Sequence, residues 1–285
     1  MRLFSSSSDS ALRGSVLIVL AIVTPIIFTG CGSSAFSNPP TTKVALPPPV
    51  AASTDSVVAS TDAVQTTSTR PPILLFNGTG TTSSDVSALE SILNTLKLGY
   101  STVNTSQMNS MSETTLKSYK LLIVPGGNSI TIGKYLTRAA TTNIHNAVNG
   151  GLHYLGMCAG AFFGGYSIYN GLNLTGGVWF NLYSSNTSRQ VVDVRFPNGT
   201  VYDIYEQDGP ELAGWGSIVG KYSDGKPAIA EGKFGYGWVI LSGVHPEAPA
   251  SWRTGMDFTT SVATDQAYAA TLVTYALNGI SLPHF

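Results

Sequence analysis

Two cysteines, Cys31 and Cys158, are the whole thiol content of the 285 residues, so no disulfide framework is expected. Charge is sparse as well: charged side chains make up 11% of the chain and the net charge is −1. No Lys/Arg cluster interleaved with aromatics is present to track a phosphate backbone, which excludes nucleic acid as a partner. A nucleotide cradle is missing too. Gly78-Thr79-Gly80 follows an apolar run, but Ser83 stands where the third glycine of Gly-x-Gly-x-x-Gly belongs, and no acidic residue ends a following strand. The run from Val16 to Phe28 is short and broken by Pro25, a poor membrane-spanning helix but of signal-peptide length.

What is present begins with an address. Arg2 and Arg13 flank a polar start, the apolar run follows, and Thr29-Gly30-Cys31 resembles a bacterial lipobox, whose cysteine becomes the lipidated first residue of the mature protein. An ordinary cleaved signal peptide and an uncleaved anchor are the open alternatives. If Cys31 carries lipid, Cys158 has no disulfide partner and is a free thiol in an exported protein. Residues 32–70 are Ser, Thr, Ala and Pro around Pro47-Pro48-Pro49, too poor in large apolar side chains to offset ordering. They are predicted to be a disordered tether between a lipid-anchored signal region, 1–31, and one domain, 71–285. The expected location is extracytoplasmic, on a membrane, in the periplasm or at the cell surface.

From Pro71 the pattern alternates. Ile73–Phe76, Leu121–Val124 and Leu152–Leu155 are continuous apolar runs predicted to be buried strands, and Gly99–Val103 reads as an edge strand. Between them, Val86, Leu89, Ile92, Leu93 and Leu96 fall at helical spacing after Ser84-Asp85. A short helix is predicted around Ser112–Ser118 and a longer one from Tyr135 to Val148. Such alternation predicts a parallel sheet covered on both faces. In the second half, Val191–Phe196 and Val201–Tyr205 flank the hairpin turn Pro197-Asn198-Gly199. Gly216–Tyr222, Ala228–Glu231 and Gly237–Ser242 continue as strands, and a helix from Thr264 to Leu277 follows. The predicted fold class is α/β: a flavodoxin-like three-layer sandwich with a mostly parallel central sheet and an antiparallel β insertion in the second half.

The chemistry concentrates in three places. Gly156-Met157-Cys158-Ala159-Gly160, after an apolar strand and before Ala161-Phe162-Phe163, reads as a nucleophile elbow with sulfur in place of oxygen. The competing reading is a small cysteine buried at a glycine-rich strand end. A cysteine nucleophile needs a base and a group to orient that base. Of four histidines, His145 and His284 read as solvated, and His153 as packed or accepting a structural hydrogen bond. His245 follows an apolar strand and precedes Pro246; in extended chain Glu247 lies on the same side as His245 and reaches its ring. Pro125-Gly126-Gly127 ends the strand before the elbow's, so the backbone N–H groups of Gly127 and Ala159 are candidates for an oxyanion hole. Glu206 and Asp208, in Tyr205-Glu206-Gln207-Asp208-Gly209-Pro210, read either as a solvated loop or as carboxylates meeting a cationic or hydroxylated substrate.

In this order, strand plus Pro-Gly-Gly, then Gly-x-Cys-x-Gly, then His-x-Glu, the motifs resemble the class I glutamine amidotransferase-like superfamily. Leu122–Gly127, Tyr154–Gly164 and Gly243–Glu247 look most like the N-terminal domain of biotin-protein ligases and its stand-alone bacterial relatives, over about Ile73 to Glu247. The resemblance implies the flavodoxin-like fold and a Cys158, His245, Glu247 triad; it implies no substrate. The expectation is therefore a cysteine hydrolase of small amides or peptides that needs no cofactor, no metal, no ATP and no biotin. The alternative is a binding or scaffold module that keeps the fold without turnover. Replacing Cys31 by Ser is expected to release the protein from the membrane fraction, because the tether offers no other anchor; unchanged retention contradicts the lipid anchor.

Overall fold

Strands made of four consecutive apolar residues bury side chains in both directions, since alternate residues project to opposite faces. The computed structural model describes residues 71–285; the predicted signal peptide, Cys31 and the tether lie outside the described residues. The described chain begins with β1 (Ile73–Phe76), α1 (Ser83–Thr95), β2 (Tyr100–Val103), α2 (Thr105–Ser110) and α3 (Glu113–Leu116). Then come β3 (Leu121–Val124), α4 (Ser129–Tyr135), α5 (Arg138–Asn149), β4 (His153–Met157) and α6 (Ala159–Gly164). The second half holds β5 (Asn181–Leu182), β6 (Gln190–Arg195), β7 (Val201–Glu206), β8 (Pro210–Glu211), β9 (Ser217–Tyr222), β10 (Pro227–Phe234), β11 (Gly237–Ser242) and α7 (Val262–Asn278).

One 9-stranded sheet runs in the order β2-β1-β3-β4-β11-β10-β9-β6-β7. From β2 to β11 every neighbouring pair is parallel, and from β11 to β7 every pair is antiparallel. The antiparallel half therefore extends the same sheet. On one face Ile73, Leu75, Ile123, Leu155 and Ile240 pack with α1 and α7; on the other Leu74, Leu122, Tyr154 and Leu241 pack with α2 to α6. These are the three layers of an α/β sandwich.

Two helices differ from the expectation. The predicted Tyr135–Val148 helix is α5, begun at Arg138 by Thr137 accepting from Ala140 N at 3.1 Å; helix α4 before it was not foreseen and ends at Tyr135, with Leu136 extended. A hydroxyl able to cap makes a fresh start competitive with continuing the helix. Helix α2 was not foreseen, although Asn104 and Gln107 form a reciprocal capping box at its start.

The parallel half brings the carboxyl ends of β1, β3, β4 and β11 to one edge of the sheet, and the chain reverses direction of travel between β1 and β3, where such sheets bind ligands. Helix α6 is pressed so closely on β3 that a Cβ at Gly160 would lie 1.9 Å from the carbonyl oxygen of Val124. Gly160→Ala is expected to lower stability by about 3 kcal/mol, read by urea denaturation. A loss below about 0.5 kcal/mol would contradict this packing.

Candidate active site

Cys158 occupies the single residue between β4 and α6, with φ 46° and ψ −104°. A side chain at positive φ is strained, and the strain is held in place from two sides. The Cys158 N–H donates to the carbonyl of Ser242 at 2.7 Å, and the flanking glycines allow contact with no Cβ between them: one added at Gly156 would meet Gly160 O at 2.4 Å. The Sγ donates to the Gln207 carbonyl at 3.5 Å.

His245 comes from the loop after β11, three residues beyond Ser242 and hence beside the elbow. Its backbone N–H donates to Tyr205 O at 2.8 Å, and the rings of Tyr205 and Trp252 stand 5.8 and 5.7 Å from the imidazole. Nδ1 is 2.9 Å from Glu247 Oε1, which leaves the other ring nitrogen for the sulfur. Burial works against the charged ring, but Glu247 and then Cys158, through charge and side-chain hydrogen bonding, raise the imidazole well above its ordinary value. His245 and Glu247 are 3% and 0% exposed, so this positive charge is built where water screens it least.

Sequence reasoning missed Asp85, in the first turn of α1. Its Oδ1 is 3.5 Å from His245 Nδ1, so two buried carboxylates face one nitrogen. Room for them is made by Gly126, where a Cβ would lie 2.0 Å from Asp85 Oδ1 and 2.8 Å from His245 Cε1. The signal was available: Asp85 follows the carboxyl end of β1, the edge on which the other motifs lie. Among the described residues, Asp85, His245 and Glu247 are also the one group with donor atoms close enough for a cation, within 4.8 Å of one another. Their shared nitrogen is already bonded to Glu247, an arrangement that orients an imidazole.

The backbone candidates converge on the same place. Thr82 N and Asn128 N donate to Gly126 O and Gly80 O, which passes over the N–H of Gly127 between them. The N–H of Ala159, first residue of α6, is one the helix itself leaves unpaired. Both residues line a cavity with Cys158. Asp208 lines it too, at φ 54°, with Oδ1 buried and without a partner. Glu206 is a correction to the sequence reading. It is 0% exposed, its oxygens accept from Gly209 N at 2.8 Å and Gln190 Nε2 at 2.9 Å, and it lines no part of the cleft. The remaining histidines are structural or exposed: His153 Nδ1 accepts from Trp238 N, while His145 is half-buried against Phe234 and bonded to Leu172 O, not solvated.

Burial pushes the Asp85 carboxyl from 3.8 up to about 6, opposed by His245 and reinforced by Glu247. A folded value above the unfolded one means that the protonated acid favours folding at low pH, and that this contribution is lost as pH rises through about 6. Asp85→Asn is therefore expected to gain on the parent protein by about 2 to 3 kcal/mol between about pH 4 and pH 7.5, measured by denaturant titration. A difference independent of pH would contradict the burial of this charge.

Residues 72–173 match the family described as biotin-protein ligase, N terminal. Among solved structures, one described as a glutamine amidotransferase aligns at 20% identity over 73% of this chain and 100% of its own, with a TM-score of 0.51. A glutamine amidotransferase from Thermotoga maritima aligns at 13% identity over 72% of this chain and 97% of its own, TM-score 0.49. An exo-β-1,4-mannosidase from Opitutaceae bacterium strain TAV5 aligns at 14% identity over 70% of this chain and 36% of its own, TM-score 0.48. No curated protein matches in sequence. The chain has the class I glutamine amidotransferase-like fold, and its residues 72–173 match the biotin-protein ligase N-terminal family.

Proposed function

We propose that this chain is a cysteine-dependent hydrolase of amide or peptide bonds. The observation that carries the reading is that Cys158 and His245 line one cleft, with the nucleophile candidate at positive φ and the imidazole Nδ1 2.9 Å from a fully buried carboxylate, Glu247. His245 takes the thiol proton, and the sulfur attacks the amide carbonyl. The N–H groups of Gly127 and Ala159 receive the oxyanion. His245 then protonates the leaving amine, and water hydrolyses the thioester with His245 as base. Glu247 holds the tautomer and stabilises the imidazolium. None of these steps calls for a nucleotide or biotin.

A lipid-anchored, extracytoplasmic address belongs to the same proposal, supported by the apolar run before Thr29-Gly30-Cys31. A scaffold module without turnover is the second reading, favoured by one observation: Cys158 is 4% exposed. Hydrolysis of a panel of small amides by the purified chain separates the two. Turnover is expected to fall by at least about 1,000-fold in Cys158→Ala and His245→Ala, and less in Glu247→Gln. Turnover that survives Cys158→Ala, or none with any amide, overturns the proposal.

A further inference from the structure

Two cavities meet at the sulfur. One, of about 510 Å³, and another, of about 470 Å³, share Gly127, Cys158 and Asp208 and are otherwise lined by different residues, so they are two lobes of one cleft. Their chemistry differs. The first is walled mainly by Ile130, Phe162, Tyr166, Tyr169, Trp179 and Leu182; the second holds the charged and polar Asp85, Arg189, Gln207, His245 and Ser251 beside Tyr205 and Trp252. In the aromatic lobe, Ile130, Tyr166, Tyr169, Trp179 and Leu182 are 40%, 42%, 37%, 47% and 48% exposed among the described residues, large apolar side chains lining one cavity.

The lobes are not interchangeable for an amide bound at Cys158. The proton for the departing nitrogen comes from His245, which lines only the polar lobe, so the amine must leave on that side. Of the oxyanion donors, Gly127 lines both lobes and Ala159 only the aromatic one, so the carbonyl oxygen lies where the lobes meet; with the amine on the polar side, the acyl group is left the aromatic lobe. Asp208 stands at the junction, lining both lobes.

Resting on the proposed hydrolase reading, we infer that the substrate is an amide of a bulky apolar or aromatic acyl group with a hydrophilic amine, and not glutamine. The bonds balance without a further reactant. The C–S bond forms as C–N breaks, and the amine leaves with the proton from His245. Water then breaks C–S to give the acid, its proton returning through His245 to the sulfur.

Three amides with the same leaving group test this: N-acetylphenylalaninamide, N-acetylalaninamide and N-acetylglutaminamide, with ammonia release as the readout. The phenylalanine amide is expected to lead both others by at least about tenfold in kcat/KM, within the range a hydrophobic pocket supplies. Trp179→Ala is expected to erase most of that lead through KM, and Trp179→Phe to restore it. Calorimetric titration of Cys158→Ala protein with the same three amides reads binding without turnover. Turnover with equal rates, or with N-acetylglutaminamide preferred, overturns the lobe assignment while the hydrolase stands. Tighter binding of the phenylalanine amide with no turnover by the parent protein sinks the hydrolase and leaves the aromatic acyl site. Absence of both effects overturns both.

Discussion

Everything in the site depends on one close approach of backbone to backbone. Helix α6 lies so near β3 and its own strand that neither Gly156 nor Gly160 has room for a Cβ, and the chain between them turns through Cys158 at positive φ. That turn is not held by local preference, since a non-glycine residue there is strained. It is held by the parallel pairing of β3, β4 and β11, whose ends deliver Gly126, Cys158 and Ser242 to the same edge. Because the Cys158 N–H is bonded to Ser242 O, the elbow and the segment leading to His245 are one rigid piece.

Around that piece the electrostatics are costly. Glu247 is fully buried with Oε2 unpaired, Asp85 is buried beside it, and one imidazole faces both. Burying two carboxylates is unfavourable unless a positive charge compensates. Asp85 yields by taking up a proton near neutrality, while His245 yields in the other direction by holding its proton more tightly. The packing of Tyr205 and Trp252 keeps the ring in a fixed orientation with its charge away from bulk water. An imidazolium beside a sulfur is what activates a cysteine nucleophile. A carboxylate pair assembled at such cost is the feature a merely structural cysteine does not require.

Much of this was legible in the sequence because it rested on short-range rules. Continuous apolar runs gave β1, β3 and β4, and Pro197-Asn198-Gly199 gave the turn joining β6 and β7. His245 and Glu247 read together because extended residues two apart share a face. Asp85 did not, because an acidic residue in a helix's first turn already has a local reason to be there, and only the sheet order carries it to His245. Glu206 and Asp208 looked equivalent two residues apart. The positive φ at Asp208 ends the strand's alternation, so one carboxylate is walled in by Gln190 and Gly209 while the other meets the cleft. Helix α4 was not read because it is only seven residues long and follows directly on the Pro125-Gly126-Gly127 turn.

The central claim is that His245 activates Cys158. The most direct measurement is the rate of alkylation of Cys158 by iodoacetamide at about pH 6, where an unassisted thiol with a value near 8.5 is almost wholly protonated. The account predicts that the parent protein reacts at least about tenfold faster than His245→Ala protein of matched fold, with Cys158 as the residue modified. Equal rates in the two proteins, or no reaction at Cys158 in either, would contradict it.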